Sequence, residues 1–410
     1  DHRDLHSFPT RRSSDLRISH VLKEHNYKYK HIYYFFLGII FMKKSLLALA
    51  VVLAATSATA SAATVYDKDG TTLTVGGRVQ SVFYNGFYKK AGYKDASLVN
   101  SSRFSVAGNT KVNNYLSVLA FSEWDMADGN KQTGDKLLSR EQYVGADFGS
   151  LGKLIAGKTL DSTRQVMAAT DIFEYVDVQN DTGINGDRRN GLFRYDYNNN
   201  GLFASVTYET ASDDQKIFGQ KFDVQNGYAV ALGYTFDNVV FGPLSIKAGF
   251  NFIDGQKDKF DGVDFTKRIN NAKNFATSIA WGSSSDGLYL AALYYSQKVD
   301  YQQSNATGVT ANGLKDNFDR KGYEFTAGYG FDNGIGVYTG YQTQQLKFKY
   351  YGYTEKDNYD LRRVPVQVKY TYNPNFKVWA EAEFDANSDD KYDSAELRGT
   401  EFNVGARYTF

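Results

Sequence analysis

Residues 244–252 read Leu-Ser-Ile-Lys-Ala-Gly-Phe-Asn-Phe. Leu244, Ile246, Ala248, Phe250 and Phe252 fall on one side of a period-two repeat, with Ser245, Lys247, Gly249 and Asn251 on the other. That separation is the signature of an extended strand, whose successive side chains point to opposite faces. The pattern recurs at Leu73, Val75, Val79 and Phe83 against Thr72, Thr74, Arg78 and Gln80. It returns from Tyr323 to Phe331, and again from Arg363 to Tyr372.

Working outward, about sixteen such segments follow one another, starting near Thr71, Asn100, Asn113, Leu137, Leu151, Arg188, Gly201, Gln225, Phe241, Asn271, Asp286, Arg320, Gly334, Asp360, Asn375 and Arg398. Short connections such as Asn198 to Asn200 and Asp332 to Asn333 alternate with long polar ones such as Asp161 to Asp187 and Asp300 to Asp319. Each segment runs roughly ten residues, the ~9–11 that a tilted strand needs to cross a bilayer and more than the five or six of a sandwich strand. The mean hydropathy of −0.47 taken alone reads as a soluble protein, but membrane barrels hide their apolar band in alternate residues. The expected fold is all-β: a sixteen-stranded antiparallel transmembrane β-barrel, long loops at one end, with its third loop folded inward.

Residues 42–62 have a charged start (Lys43, Lys44), an apolar run from Leu46 to Ala55 and a small-residue exit, Ala60-Ser61-Ala62. This is the pattern of a secretory signal peptide cleaved after Ala62. Upstream, residues 1–41 resemble translated sequencing-adapter read-through and are expected to be foreign to the fold, which leaves 63–410 as the barrel domain.

All five histidines lie in residues 1–41 and the chain has no cysteine. The segment Ala63 to Phe410 therefore lacks the groups for a Ser-His-Asp or Cys-His nucleophile, a zinc site with nitrogen or sulfur ligands, or haem ligation by His or Cys. No enzyme activity, metal or cofactor is expected. The whole chain carries a net charge of +1; without the basic leader the remainder is about −4, which argues against nucleic acid as a partner.

The longest polar insert, Asp161 to Asp187, contains Ala-Thr-Asp-Ile-Phe-Glu-Tyr-Val-Asp at 169–177, placing Asp171, Glu174 and Asp177 about one turn apart. The arginine pair Arg188 and Arg189 stands directly behind it. Sixteen strands leave an open lumen, so the insert is expected to narrow it, with acids facing arginines of the wall. In the strand after the insert, Phe193, Tyr195 and Tyr197 form the outer face, putting Arg188, Arg194 and Asp196 in the lumen.

Several motifs resemble those of the general diffusion porins of Gram-negative outer membranes. The opening Ala63-Thr-Val-Tyr-Asp-Lys-Asp-Gly-Thr-Thr-Leu is followed by a cation at Arg78; Ser102-Arg103-Phe-Ser-Val-Ala-Gly, Ser139-Arg140-Glu-Gln-Tyr-Val-Gly and Arg188-Arg-Asn-Gly-Leu-Phe-Arg-Tyr are similar to the family's arginine-bearing strands. The resemblance implies a basic pore wall at Arg78, Arg103, Arg140 and Arg188, facing the loop acids Asp171, Glu174 and Asp177. It also implies that Tyr408 and Phe410 belong to a terminal signal read by the barrel-assembly machinery. One departure stands out: Ile172-Phe173-Glu174-Tyr175-Val176 occupies the place where the family often has Pro-Glu-Phe-Gly-Gly, and the family's two acids are one residue further apart.

What the resemblance implies in function is passive, weakly selective diffusion of small hydrophilic solutes and ions across the outer membrane. The implied setting is a homotrimer surrounded by outer-membrane lipid and lipopolysaccharide. The alternative is a substrate-specific sugar or oligosaccharide channel, for which Tyr338 and Trp379, inward by alternation, would supply aromatic surface.

Overall fold

Strands form wherever the period-two pattern runs. They are β1 (Ala63–Lys68), β2 (Thr71–Asn85), β3 (Ser97–Lys111), β4 (Ser117–Asp128), β5 (Leu138–Asp147), β6 (Lys153–Thr159), β7 (Arg189–Asn199), β8 (Leu202–Glu209) and β9 (Ser212–Ile217). The second half adds β10 (Gln220–Val239), β11 (Gly242–Gly255), β12 (Ile269–Gly282), β13 (Gly287–Tyr301), β14 (Lys315–Gly330), β15 (Ile335–Tyr350), β16 (Lys356–Asn373), β17 (Phe376–Asp385) and β18 (Glu401–Thr409). The one α-helix among the described residues is a single turn, α1 (Arg164–Met167). This computed structural model describes residues 62–85, 97–128, 137–174, 188–217, 220–256, 269–301, 315–350, 356–387 and 400–410, all within the compact unit Ala55–Phe410.

Each strand pairs antiparallel with the next around the sheet, and β18 returns to β2 from Phe402↔Asn85 to Thr409↔Arg78. Two short strands are continuations rather than extra staves. β9 carries on the line of β8 along β10, and β1 carries on the line of β18 along β2, with Ala63 opposite Val75. The result is a closed sixteen-stranded antiparallel barrel, whose sixteen staves each have a neighbour on both sides, while β1 pairs with β2 alone and β9 with β10 alone.

The closing seam is tight. Gly77 and Phe410 exchange both backbone hydrogen bonds, at 2.8 and 2.9 Å. A Cβ on Gly77 would lie 2.6 Å from Arg103 O and 2.7 Å from the Phe410 ring, so only glycine lets the last residue lie against β2.

Short turns join the strands at one end. At Asn200-Gly201 both residues take positive φ (50° and 79°), the two-residue turn whose twist suits a hairpin and favours Asn-Gly. The other end carries the long connections.

The usual burial pattern is inverted. Leu232 is 62% exposed and Phe325 53%, whereas Glu324 is 0% and Arg189 2% exposed. Apolar side chains form the outer belt and polar ones line the interior, as alternation requires in a barrel wide enough to hold water. Interior aromatics lie flat on the wall over glycines: the Tyr338 ring covers Gly328 and Gly336, and Trp379 covers Gly405. No helix among the described residues is long and apolar enough to cross a membrane.

Candidate functional site

The interior wall carries an arc of cations. Arg78 on β2 stands directly opposite Arg103 on β3, and Lys377 on β17 opposite Arg407 on β18. Arg407 in turn faces Gln80, its Nε donating to Gln80 Oε1 at 2.8 Å. Lys369, opposite Trp379, extends the arc to β16.

Three irregularities shape this tier. The β3–β4 register slips at Met126, β4–β5 at Arg140 and β6–β7 around Asn190 and Gly191, where the bulged strand carries one extra residue each time. Bulges re-aim side chains. Without the slip, Arg140 and Glu141 would point to opposite faces; with it, both join the interior network. Arg140 donates to Glu123 (2.7 Å) and Asp125 (2.9 Å), and Arg103 shares Asp125 at 2.9 Å. Arg188 donates to Glu141 at 3.2 Å. Arg78 has no hydrogen-bond or ion-pair partner among the described residues; the charges that act on it are Arg407, Arg103 and Arg140, opposed by Glu123.

The described part of the insert, Asp161 to Glu174, touches interior residues of one strand after another. Asp161 is the root. It accepts from Arg189 Nη2 and Asn251 Nδ2, each at 2.8 Å, and from the Thr163 amide and hydroxyl. Arg189 also grips Glu209 through Nε at 2.9 Å, and the three charged side chains are 2% exposed. Burial pushes the Asp161 carboxyl up, but Arg189, with help from Thr163 and Asn251, holds it below the ordinary aspartate value. Ser162 bonds Thr207 and Ser205 on β8 at 2.7 Å.

Beyond the root, Val166 and Met167 of α1 pack with Phe203, Ala231, Ala276, Leu293 and Tyr295. Small residues make room for them: a Cβ on Gly249 would come within 3.0 Å of Val166. Tyr289 on β13 donates to the Ala169 carbonyl at 2.5 Å, and Thr170 to Glu324 on β14 at 2.6 Å. Phe173 packs on Tyr338 of β15. The Glu174 amide donates to Glu381 on β17, and its carboxylate meets Lys377 and, at 2.7 Å, Arg407. Burial pushes this carboxyl up, yet Lys377 and Arg407 outweigh it and hold Glu174 below the ordinary glutamate value.

Of the residues singled out from sequence, Arg78, Arg103 and Arg140 come together on one stretch of wall, and Arg188 joins through Glu141. The described loop acids go elsewhere. Asp171 pairs with Arg164 of its own segment, and Glu174 pairs with Lys377 and Arg407. Asp177 lies outside the described residues. Tyr408 is 52% exposed on the outer belt, and Phe410 closes the seam. Sequence reasoning missed Arg407, Lys377, Glu123, Asp125 and the buried Arg189–Asp161–Glu209 set. Alternation from Phe402, Val404 and Tyr408 would have put Arg407 inside, and the pair Arg188-Arg189 was visible, but the bulge that turns Arg189 inward carries no clear sequence mark.

Chemically the arrangement offers fixed opposed charges around a wetted interior. Among the described residues no cluster of His, Cys, Asp or Glu could hold a metal ion. Tyr338 and Trp379 do face inward but are 1% and 3% exposed, their rings overlaid by Lys369 at 4.4 Å and Arg407 at 5.3 Å.

Known proteins agree with this architecture. The chain is 28% identical to Porin-like protein L of Photobacterium profundum over 90% of its length and all of the relative's. It is 26% identical to outer membrane porin PhoE of Escherichia coli over 83% of its length and 92% of that protein's. Among solved structures, OmpF of Salmonella typhi in complex with daunomycin superposes with a TM-score of 0.62 at 19% identity, covering 84% of this chain and 99% of that one. A loop L8 deletion of OmpT from Vibrio cholerae superposes at 0.61 and 16% identity, covering 83% of this chain and all of the other. The family model described as Gram-negative porin matches residues 48–390. A closed barrel with apolar residues outside, charges inside and this match over most of its length has one home, the outer membrane, and the chain belongs to the Gram-negative porin family.

Proposed function

We propose that the protein is a general diffusion channel in which the segment beginning at Asp161 folds into the barrel and narrows it. The observation that carries this reading is the run of contacts from Asp161 to Glu174, which touches interior residues of β7, β8 and β10 to β15 and ends on β17 and β18. A segment lying along that half leaves the passage between itself and the wall of β2 to β6, lined by Arg78, Arg103, Arg140 and Arg188. Solutes crossing there feel a transverse field between loop carboxylates and wall guanidiniums and are sorted by size and charge without chemical change.

Diffusion is favoured over a sugar-specific channel because an aromatic slide needs exposed rings, and those of Tyr338 and Trp379 are covered. We further propose that residues 42–62 are removed as a signal peptide, that residues 1–41 are foreign to the fold, and that Tyr408 and Phe410 mark the chain for barrel assembly. A homotrimer fits the relatives, one of which, OmpT, was solved in a trimer form.

Single-channel recording of the purified protein in a planar bilayer tests the reading. Large stepwise openings in groups of three with flux linear in solute concentration are expected. Saturating flux for one sugar, or no conductance, would overturn it.

A further inference from the structure

Glu174 is not seated among the arginines of β2 to β6. It lies in a second set of cations, on the other side of the closing seam. Lys377 on β17 and Arg407 on β18 stand directly opposite each other. Glu174 Oε1 meets Lys377 Nζ, and Oε2 lies 2.7 Å from Arg407 Nη1. One tier nearer the long loops, roughly 7 Å along the strands, Lys369 of β16 stands opposite Trp379, and Trp379 opposite Gly405.

Rings and shape hold this cradle together. Lys369 Nζ rests 4.4 Å from the Tyr338 ring centre, and the Arg407 guanidinium 5.3 Å from that of Trp379. Both rings are fixed: Tyr338 donates to the Ser284 carbonyl at 2.6 Å, and Trp379 Nε1 to Asn403 Oδ1 at 2.9 Å. Glu381, two residues along β17 from Trp379, is engaged by the amides of Gln367, Asn403 and Glu174. Lys369 has no ion-pair partner among the described residues, and its pull on Glu174 is exerted through space.

Three cations thus surround one carboxylate, and that carboxylate belongs to a loop. Its seating shows what the cradle accepts: an oxyanion with one oxygen on an ammonium and another on a guanidinium. A tethered group competes at an effective concentration on the order of millimolar. A free monovalent carboxylate offers nothing more and is outcompeted. An anion with further charged oxygens takes the same two cations and adds Lys369, which Glu174 does not reach. The Lys377 side chain is 27% exposed, so such an anion has a way in. With its carboxylate displaced, the end of the described loop is left with the amide bond to Glu381 and the packing of Ile172 and Phe173 on Tyr338.

We propose that Lys369, Lys377 and Arg407 form a binding site for a compact polyanion of the diphosphate class, with Glu174 as its tethered stand-in. The polyanion displaces the carboxylate and loosens the loop, so the passage responds to what enters it. This rests on the reading that the segment from Asp161 narrows the channel. Calorimetric titration of the full barrel in detergent with inorganic pyrophosphate tests the site, and single-channel recording with the same salt at fixed ionic strength and neutral pH tests the displacement. Pyrophosphate should make the wild-type current noisier; acetate, which matches one carboxylate and no more, should not. Glu174→Gln removes the competitor and should bind pyrophosphate about tenfold tighter. Glu174→Asp keeps the charge but is one methylene too short to span both cations, so it should bind tighter as well. Lys369→Gln should bind about tenfold more weakly.

An affinity in Glu174→Asp equal to that of the wild type would mean that charge alone matters. That result, an untightened Glu174→Gln, an unchanged affinity in Lys369→Gln, or wild-type traces indifferent to pyrophosphate would each overturn the proposal. A barrel that conducts steadily through all of these additions loses this inference alone. One that never conducts but binds in the stated order loses the channel and keeps the site.

Discussion

Glu174 Oε2 lies 2.7 Å from Arg407 Nη1, with both side chains about nine-tenths buried. The end of the described loop is thereby tied to the strand that closes the barrel. Because Lys377 and Arg407 hold the carboxyl below its ordinary value against the opposing effect of burial, the tie is complete above the ordinary glutamate pKa of about 4.3 and is lost as pH falls through the lower, bound value. Open-channel current should be steady at neutral pH and become noisy or close more often below about pH 4. Glu174→Gln should be noisy at pH 7 and lack this acid transition; single-channel traces across the pH range decide, and an identical acid response in the variant would sink the idea.

Arg78 is a wall cation with no hydrogen-bond or ion-pair partner among the described residues. A unit charge roughly 6 Å from the path of an ion in water contributes about 0.7 kcal/mol. Arg78→Gln should therefore shift the cation-to-anion permeability ratio about tenfold toward cations, because that energy is removed for the cation and added for the anion. The reversal potential under a salt gradient reads it directly. Arg103→Gln should do less, since Asp125 already offsets that charge.

Arg189 bridges Asp161 and Glu209 with all three buried. Arg189→Met leaves two carboxylates enclosed and unbalanced, a loss of about 3–5 kcal/mol. Unfolding in detergent should register it as a lower midpoint. Arg189→Lys keeps the charge but cannot span both acids, so its loss should be intermediate.

Val240, in the turn between β10 and β11, has a φ of 58°, a conformation that costs a β-branched residue of order 1–3 kcal/mol. Its side chain is 93% exposed and contributes little packing in return. Val240→Gly should stabilise the barrel by about 1 kcal/mol, with no change in conductance. A variant no more stable than the wild type would mean the turn carries no such strain.

Much of the barrel could be read from the chain because lipid and water impose opposite demands on alternate residues. The face assigned to Tyr323, Phe325, Tyr329 and Phe331 is indeed the exposed one. Strand starts at Thr71, Leu138, Gly242 and Ile335 lie within one residue of the periodic onsets at Thr71, Leu137, Phe241 and Gly334. β10, β14 and β16 begin four or five residues earlier than periodicity indicated, since above the membrane neither face must be apolar and the alternation fades while pairing continues. β1 and β9 were missed because six residues carry too little pattern to stand out.

The interior was less legible. Alternation sorts residues into inside and outside but says nothing of which interior charges meet. Arg140 and Arg189 reach their partners through bulges, where one extra residue overrides the period. The partner of Glu174 depends on a strand more than two hundred residues away, a distance at which spacing carries no information.

The seam at Gly77 and Phe410 sets the timetable of assembly. The side-chain bond across it, from Arg407 to Gln80, joins residues 327 apart in the chain, so β2 must wait, with one flank bare, until β18 has been made. Local hairpins can form early; the cylinder cannot. A chain that lacks β18 is therefore no narrower version of the protein but an open sheet with a sticky margin.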